Sequence, residues 1–273
     1  MHNVVTAGDI SIAAEALGIA GKTVCVHSSL KSFGYVEGGA PAVLDGRLKV
    51  GCTVVVPTFS RDYQAIPPND MRPARNGIDY LTGLKRWPLA DSAYSPESTT
   101  INRTMGAIPA AVLAREGRTR GNHAICSFSA IGPRSAEIIG PQTPTDVFAP
   151  LRQVAKANGL LLLMGVSLAT LTAIHLAEQL AGREPFRRWA MGPDGKAMMV
   201  ATGGCSSGFD SFDPVVSRLE RRSLVGSSMW RAFPAAELLD EATIAIRNNP
   251  SITRCARSEC NPCIDAIAGG PIL

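Results

Sequence analysis

LLLLMGVSLATLTAIHLAE, residues 160–178, is the stretch from which the fold can be read. Its first part, Leu160–Val166, is the longest purely apolar run in the chain. That is long enough for a strand covered on both faces, and far short of the roughly 20 residues a bilayer crossing needs. Its second part passes into TAIHLAEQLA, 172–181, which predicts a helix, and VFAPLRQVAKAN, 147–158, predicts the helix ahead of the strand. A strand set between two helices is the building unit of an α/β architecture.

The same grammar extends towards the N-terminus. TVCVH (23–27) and TVVVP (53–57) are short β-branched runs that predict two further buried strands. Between them Pro41–Leu48 predicts a helix; ahead of them DISIAAEALG (9–18) predicts another, with Asp9 near its N-cap and Gly18 at its C-cap. A helix is also predicted from Met105 to Gly117, and a strand over Ala124–Ile131. Residues 58–103, rich in Pro, Asn, Asp and Arg and without sustained periodicity, predict a long surface excursion. The expected fold is α/β: one domain over 1–273, with a mixed, mostly parallel sheet covered by helices on both faces and a Cys-rich tail at 255–273.

Bulk properties narrow the function. A net charge of +4 is spread along the chain, and with aromatic residues at only 5% there is no stacking series to suggest nucleic-acid binding. No membrane span is expected. Residues 1–8 carry no Lys or Arg and lead into no signal-type apolar core, so the reading is a cytoplasmic protein, monomer or homodimer. Its seven cysteines are then expected as thiols.

Two segments could carry chemistry. VHSSL, 26–30, is a strand running into two hydroxyls and several amides, which suits either a serine-capped turn or a phosphate cradle. It is followed by neither a P-loop nor a dinucleotide fingerprint. In TAIHLAE, Thr172, His175 and Glu178 fall at successive i, i+3 steps on one helix face. A helix-borne His–Glu pair is more commonly structural; in a cleft it is a general base with its orienting carboxylate.

Taken in order, five segments resemble the aminoglycoside 3-N-acetyltransferase family: VHSSLKSFG (26–34), TVVVPTFS (53–60), TMGAIPAAVLAREG (104–117), RGNHAICSFSAIGPRSAEII (120–139) and the opening stretch with its HLAE. The resemblance covers most of the chain. It implies a sheet sandwiched by helices, acetyl-CoA as co-substrate along one end of it, and acetylation of an aminoglycoside amine in a ternary complex. It also implies roles: His175 as general base with Glu178 beside it; Ser28, Ser29 and Leu30 holding the pyrophosphate and pantetheine arm; Phe33, Met105, Ser127 and Phe128 lining the tunnel. Alternatives are a less cationic natural-product amine, another acyl donor, or a non-catalytic homologue.

The chain departs from the family pattern where relatives place acidic residues for the acceptor. Here Ala201-Thr202-Gly203-Gly204-Cys205-Ser206-Ser207 holds no carboxylate, leaving Asp62, Asp70, Asp79, Asp91, Glu97, Asp210 and Asp213 as acidic candidates. His123, Cys25, Cys52 and Cys205 are expected as buried, structural side chains. Cys255-x4-Cys260-x2-Cys263 has metal-ligand spacing and suits structural zinc, with a fourth ligand sought at Asp146, His123 or Cys126; the other reading is free thiols on a flexible tail.

Overall fold

The structure is a computed structural model that describes residues 4–81 and 92–273. The chain opens with α1 (Ala7–Ala16), β1 (Thr23–Ser28), α2 (Gly39–Leu48) and β2 (Thr53–Pro57). After the excursion come α3 (Ala107–Leu113), β3 (Thr119–Arg120), β4 (Phe128–Ile131), α4 (Ser135–Ile139), α5 (Ala149–Lys156), β5 (Leu160–Met164) and α6 (Ala173–Leu180). The last third holds β6 (Phe186–Met191), β7 (Ala197–Thr202), α7 (Asp213–Val216), β8 (Arg221–Val225), β9 (Ser228–Pro234), α8 (Ala235–Asn248) and α9 (Asn261–Ile267). Asp9 stands near the N-cap of α1, as expected: Thr6 is the N-cap and Asp9 closes a capping box with it.

Among the described residues the main sheet runs β3-β4-β2-β1-β5-β9-β8, and β6–β7 form a separate hairpin. The sheet is mixed, as expected, but the expectation of a mostly parallel one is corrected. Only β1 pairs in parallel, with β2 on one side and β5 on the other; β2–β4, β3–β4, β5–β9 and β8–β9 are antiparallel. The reason lies in the connections. Parallel pairing needs a crossover, which α2 supplies, whereas β8 and β9 are joined by the tight turn Gly226–Ser227, with Gly226 at φ 59°.

Alternation along the central strands sorts the core into two layers. Val24, Val26, Val54, Val56, Leu160 and Leu162 pack with Ile10, Leu17, Val43, Leu44 and Ile108 from α1, α2 and α3 and the turn after α1. Cys25, Val55, Leu161 and Leu163 pack on the other side with Val154, Leu176, Ala177 and Leu238 from α5, α6 and α8. Helices therefore cover both faces, and the strands read as continuous apolar runs because neither face meets water.

Two expectations are revised. The strand expected over Ala124–Ile131 starts only at Phe128, because the amides of Ile125 and Cys126 turn back onto His123 Nδ1, at 3.3 and 2.9 Å. The excursion expected on the surface begins inside: Thr58 and Ser60 are fully buried and donate their amides to Ser127 O and Ile125 O. It then bridges the main sheet to the β6–β7 hairpin, through Ala65 N to Trp189 O and Met191 N to Tyr63 O.

Candidate active site

His175 lies in the first turn of α6, which follows the carboxyl end of β5 after a 3-10 turn at Leu168–Thr170. Ser28 is in register with Met164, the last residue of β5. The VHSSL and HLAE segments thus both follow the carboxyl ends of two adjacent parallel strands, the side on which open α/β sheets bind their ligands.

The imidazole is held on several sides. Nδ1 donates to Glu178 Oε2 at 2.7 Å. The other carboxylate oxygen accepts from Arg183 Nη1 at 2.6 Å, and Arg183 also donates to Thr253 Oγ1 at 2.8 Å and Pro250 O at 2.5 Å. All three residues are buried, each 8% exposed, so the ion pair is little screened. A carboxylate only accepts, so Nδ1 carries the proton and Nε2 of the neutral ring keeps its lone pair, the tautomer a base needs. Arg183 is a residue that sequence reading missed. It lies past the end of α6, and Gly182 at φ 101° turns the chain so that its side chain comes back to Glu178.

Phe209 stands edge-on to the ring with centroids 4.7 Å apart, and Phe148 lies more nearly parallel at 6.3 Å. Gly203, just past β7, closes in on the Cδ2–Nε2 edge; a Cβ there would lie 2.6 Å from Cδ2. The ring borders a small cleft of about 20 Å³ lined by Phe148, Glu178, Arg183, Phe186, Gly203 and Ala266 among others. In this carboxylate-free stretch neither glycine leaves room for a Cβ, Gly203 against His175 and Gly204 against Phe186.

On the donor side, Ser28, Ser29, Leu30 and Met105 are half-buried around the end of β1. Ser29 N donates to Met164 O at 3.0 Å, and Ser32 Oγ donates to Ser29 O at 2.6 Å while bonding Ser228 Oγ at 2.7 Å. Gly106 brings the Met105 turn against this end; its Cβ would lie 3.9 Å from Ser28 O. The other expected tunnel residues are corrected, because they are sealed into the interior. Phe33 packs against Trp230 with centroids 5.6 Å apart, and Phe128 against Phe59 at 5.7 Å. Ser127 is fully buried; its Oγ donates to Thr58 O and accepts from Arg120 Nε, each at 3.0 Å.

His123 is structural: it is fully buried in the turn ahead of β4. Nε2 donates to Ala201 O at 2.7 Å, and burial holds the imidazole down to about 4, hence neutral at pH 7. Burial does the same to His27 and pushes the Cys25 and Cys126 thiols up to about 12. Of the acidic candidates, Asp210 accepts from Ala169 N at 3.0 Å, Asp213 pairs with Arg231 at 2.5 Å, and Asp91 lies outside the described residues.

The C-terminal segment folds back on the body. Arg75 Nε donates to Gly270 O at 2.7 Å and Gly77 N to Asp265 Oδ2 at 2.6 Å. Cys255, Cys260 and Cys263 come together with Cys205, all four sulfurs lying within 4.8 Å of one another. The fourth member is therefore Cys205, which was expected as an apolar filler. Asp146 is paired with Arg152 and His123 is engaged with Ala201. In a tetrahedral ion with bonds of about 2.3 Å the sulfurs stand about 3.8 Å apart, a small contraction from this arrangement. Cys255 N donates to Cys263 Sγ at 3.5 Å and Arg257 Nη2 reaches Cys260 Sγ at 3.7 Å; a backbone hydrogen bond with Arg257 draws the Cys255 thiol down to about 6, whereas burial pushes those of Cys260 and Cys263 up.

Comparison with known proteins identifies relatives of this arrangement. The sequence model of the family described as aminoglycoside 3-N-acetyltransferase matches residues 25–246. Aminoglycoside N(3)-acetyltransferase VIII of Streptomyces fradiae is 34% identical over 182 residues, 64% of this chain and 60% of that protein. The match therefore spans under two thirds of this relative's length. Two solved structures share the fold over nearly their whole length. AAC-IIIb as a binary complex with CoASH has a TM-score of 0.72 at 20% identity, covering 90% of this chain and 97% of that one. A mutant of aminoglycoside acetyltransferase AAC(3)-IVa in complex with apramycin also has a TM-score of 0.72, at 21% identity over 92% and 96%.

Proposed function

The chain belongs to the aminoglycoside 3-N-acetyltransferase family, and from that premise we propose that it transfers the acetyl group of acetyl-CoA to an amine of an aminoglycoside. The observation that carries this reading is the buried His175–Glu178–Arg183 relay, set on the helix that follows β5 and bordering a small cleft walled by Phe148, Phe186 and Gly203. The named activity of the S. fradiae relative, and the CoASH and apramycin complexes of proteins with this fold, support donor and acceptor. Among the described residues no helix is long and apolar enough to cross a membrane. The cytoplasm, where acetyl-CoA is made available, is the working compartment.

The reaction is a direct displacement. The acceptor amine attacks the thioester carbonyl, the new C–N bond forms, and the C–S bond breaks to release CoA thiolate. His175 Nε2 takes the proton the amine loses and passes it to the thiolate. Glu178 stabilises the imidazolium formed in between and fixes the ring orientation, as an acidic partner of a base does elsewhere. Arg183 holds that carboxylate in place. No covalent acyl-enzyme is formed, so the buried thiols Cys25 and Cys126 have no part in it. Ser28, Ser29, Leu30 and Met105 hold the donor at the strand end, which brings its thioester towards α6.

Cys205, Cys255, Cys260 and Cys263 would hold a structural zinc ion. The net charge of an ion with four thiolates would be offset by Arg257 and by the amide at Cys255.

The test is release of free CoA thiol from acetyl-CoA over a panel of aminoglycosides. Turnover with at least one member is expected, and His175→Ala should lower kcat by about 100-fold or more. Failure with every member removes the acceptor assignment. An alanine variant as fast as the parent removes the base.

A further inference from the structure

The four-cysteine centre and the catalytic ring share their supports. Cys205 is two residues beyond Gly203, where the imidazole edge leaves no room for a Cβ. Cys263 lies on α9 one turn ahead of Ala266, which walls the same cleft. Cys255 follows Arg254, whose carbonyl packs so tightly on Gly208 that a Cβ there would lie 2.4 Å from it; the next residue, Phe209, stands edge-on to His175. Upstream of the same cysteine, Thr253 and Pro250 receive Arg183, which holds Glu178. Each thiol segment thus reaches the imidazole or its carboxylate within a few residues, and the segments come from distant parts of the chain.

We propose that a metal ion bound by Cys205, Cys255, Cys260 and Cys263 sets the position of His175, so that loss of the metal slows acetyl transfer while leaving donor binding at the end of β1 intact. The ion draws the Gly203, Gly208–Phe209 and α9 segments against the ring and holds the 250–254 segment under Arg183. Without it, nothing covalent links these walls, and the ring and its carboxylate lose their fixed geometry. Since a reacting group misplaced by about 1 Å can cost about 100-fold in rate, a small relaxation suffices. The ion touches neither substrate, so its effect falls on kcat. Of the residues proposed for the donor, Ser28, Ser29 and Leu30 hang on the end of β1, whose pairing with β5 does not involve the cluster. This inference rests on the acetyltransferase reading of the same cleft.

The experiment compares the purified protein, its Cys255→Ser and Cys260→Ser variants, and the protein stripped of metal by a chelator, all at a temperature where circular dichroism shows them folded. Elemental analysis should find one zinc per chain in the parent and much less in the others. With metal gone, kcat should fall about 10-fold or more, while the dissociation constant for CoA, measured calorimetrically, should stay within about threefold.

Because the chain has only four histidines, the ring of His175 can be followed by nitrogen-15 NMR. Its signal, identified with His175→Gln, should move on metal loss while that of His27 stays. Cobalt(II) loaded into the unmutated protein gives an arm that needs no variant to fold: thiolate-to-metal charge-transfer absorption should appear, and the ion should perturb the His175 signal more than that of His27. Absence of zinc and of the cobalt band overturns the proposal. So does a metal-free, folded protein with unchanged kcat and an unchanged His175 signal. If the intact protein turns over no aminoglycoside, the NMR arms still decide the coupling separately from the activity.

Discussion

Replacing Gly203 by alanine should damage catalysis far more than folding, and the size of the effect follows from the geometry. The added Cβ would stand 2.6, 2.8 and 2.9 Å from His175 Cδ2, Cγ and Nε2. Carbon atoms in contact sit about 3.5–4.0 Å apart, so either the ring or the Gly203 backbone must give by about 1 Å. The ring has little freedom: Nδ1 is tied to Glu178 at 2.7 Å and Phe209 stands on it with centroids 4.7 Å apart. Gly203 is not among the positive-φ glycines, so alanine suits its backbone and the conflict is steric alone. Overpacking of this kind costs about 1–3 kcal/mol in stability. The ring displacement should cost about 100-fold in kcat. The assay is thiol release under saturating acetyl-CoA and acceptor, beside a urea titration. Gly8→Ala is the control, since its Cβ would meet Thr6 Oγ1 at an ordinary 3.4 Å. A Gly203→Ala protein with kcat within about threefold of the parent would show that the ring position at this edge does not govern the rate.

Arg183→Leu leaves Glu178 buried without its cation, and should lower stability by about 3–5 kcal/mol and slow turnover; a urea titration with kcat for Arg183→Leu and Arg183→Lys checks both effects, with Lys recovering part of each. Acid should destabilise the fold through His27 and His123, whose folded pKa values near 4 lie below the unfolded 6.5. The neutral rings are favoured in the native state, so the stabilisation is complete above pH 6.5 and is lost as pH falls towards 4, by about 3 kcal/mol per ring; urea midpoints between pH 7.5 and pH 4.5 measure it. Gly165→Ala puts a Cβ 2.0 Å from Ser32 Oγ at a backbone φ of 65°, so it should raise KM for acetyl-CoA with little change in kcat, read from initial rates.

The sequence was most legible where burial is symmetrical. TVCVH, TVVVP and LLLLM are unbroken apolar runs because helices cover both their faces, and the structure places strands there. The flanking strands carry no such signature. FRRWAM in β6 sets two arginines beside a buried tryptophan, and RRSLV in β8 is largely exposed at the sheet edge, so neither shows an apolar run or clean alternation. With those hairpins unread, the sheet looked more parallel than it is. The His175–Glu178 pair was legible from a helical spacing, but Arg183 depends on a turn at Gly182. Cys205 joins thiols some fifty residues away, and no local pattern marks a ligand brought in by tertiary folding. The tunnel residues Phe33, Ser127 and Phe128 show the limit of position-by-position transfer, since side-chain burial differs from what motif order suggests.

The pairing of Ser28 with Met164 has a kinetic side. The α1–β1–α2–β2 unit can form from neighbouring stretches, whereas β5 reaches β1 only after more than a hundred residues of intervening chain have been looped out. Closing so large a loop is entropically slow and delays such contacts relative to local ones. An early compact state can therefore possess much of its helix content while the two halves of the catalytic end remain apart, and competence arrives with the last long-range strand to dock.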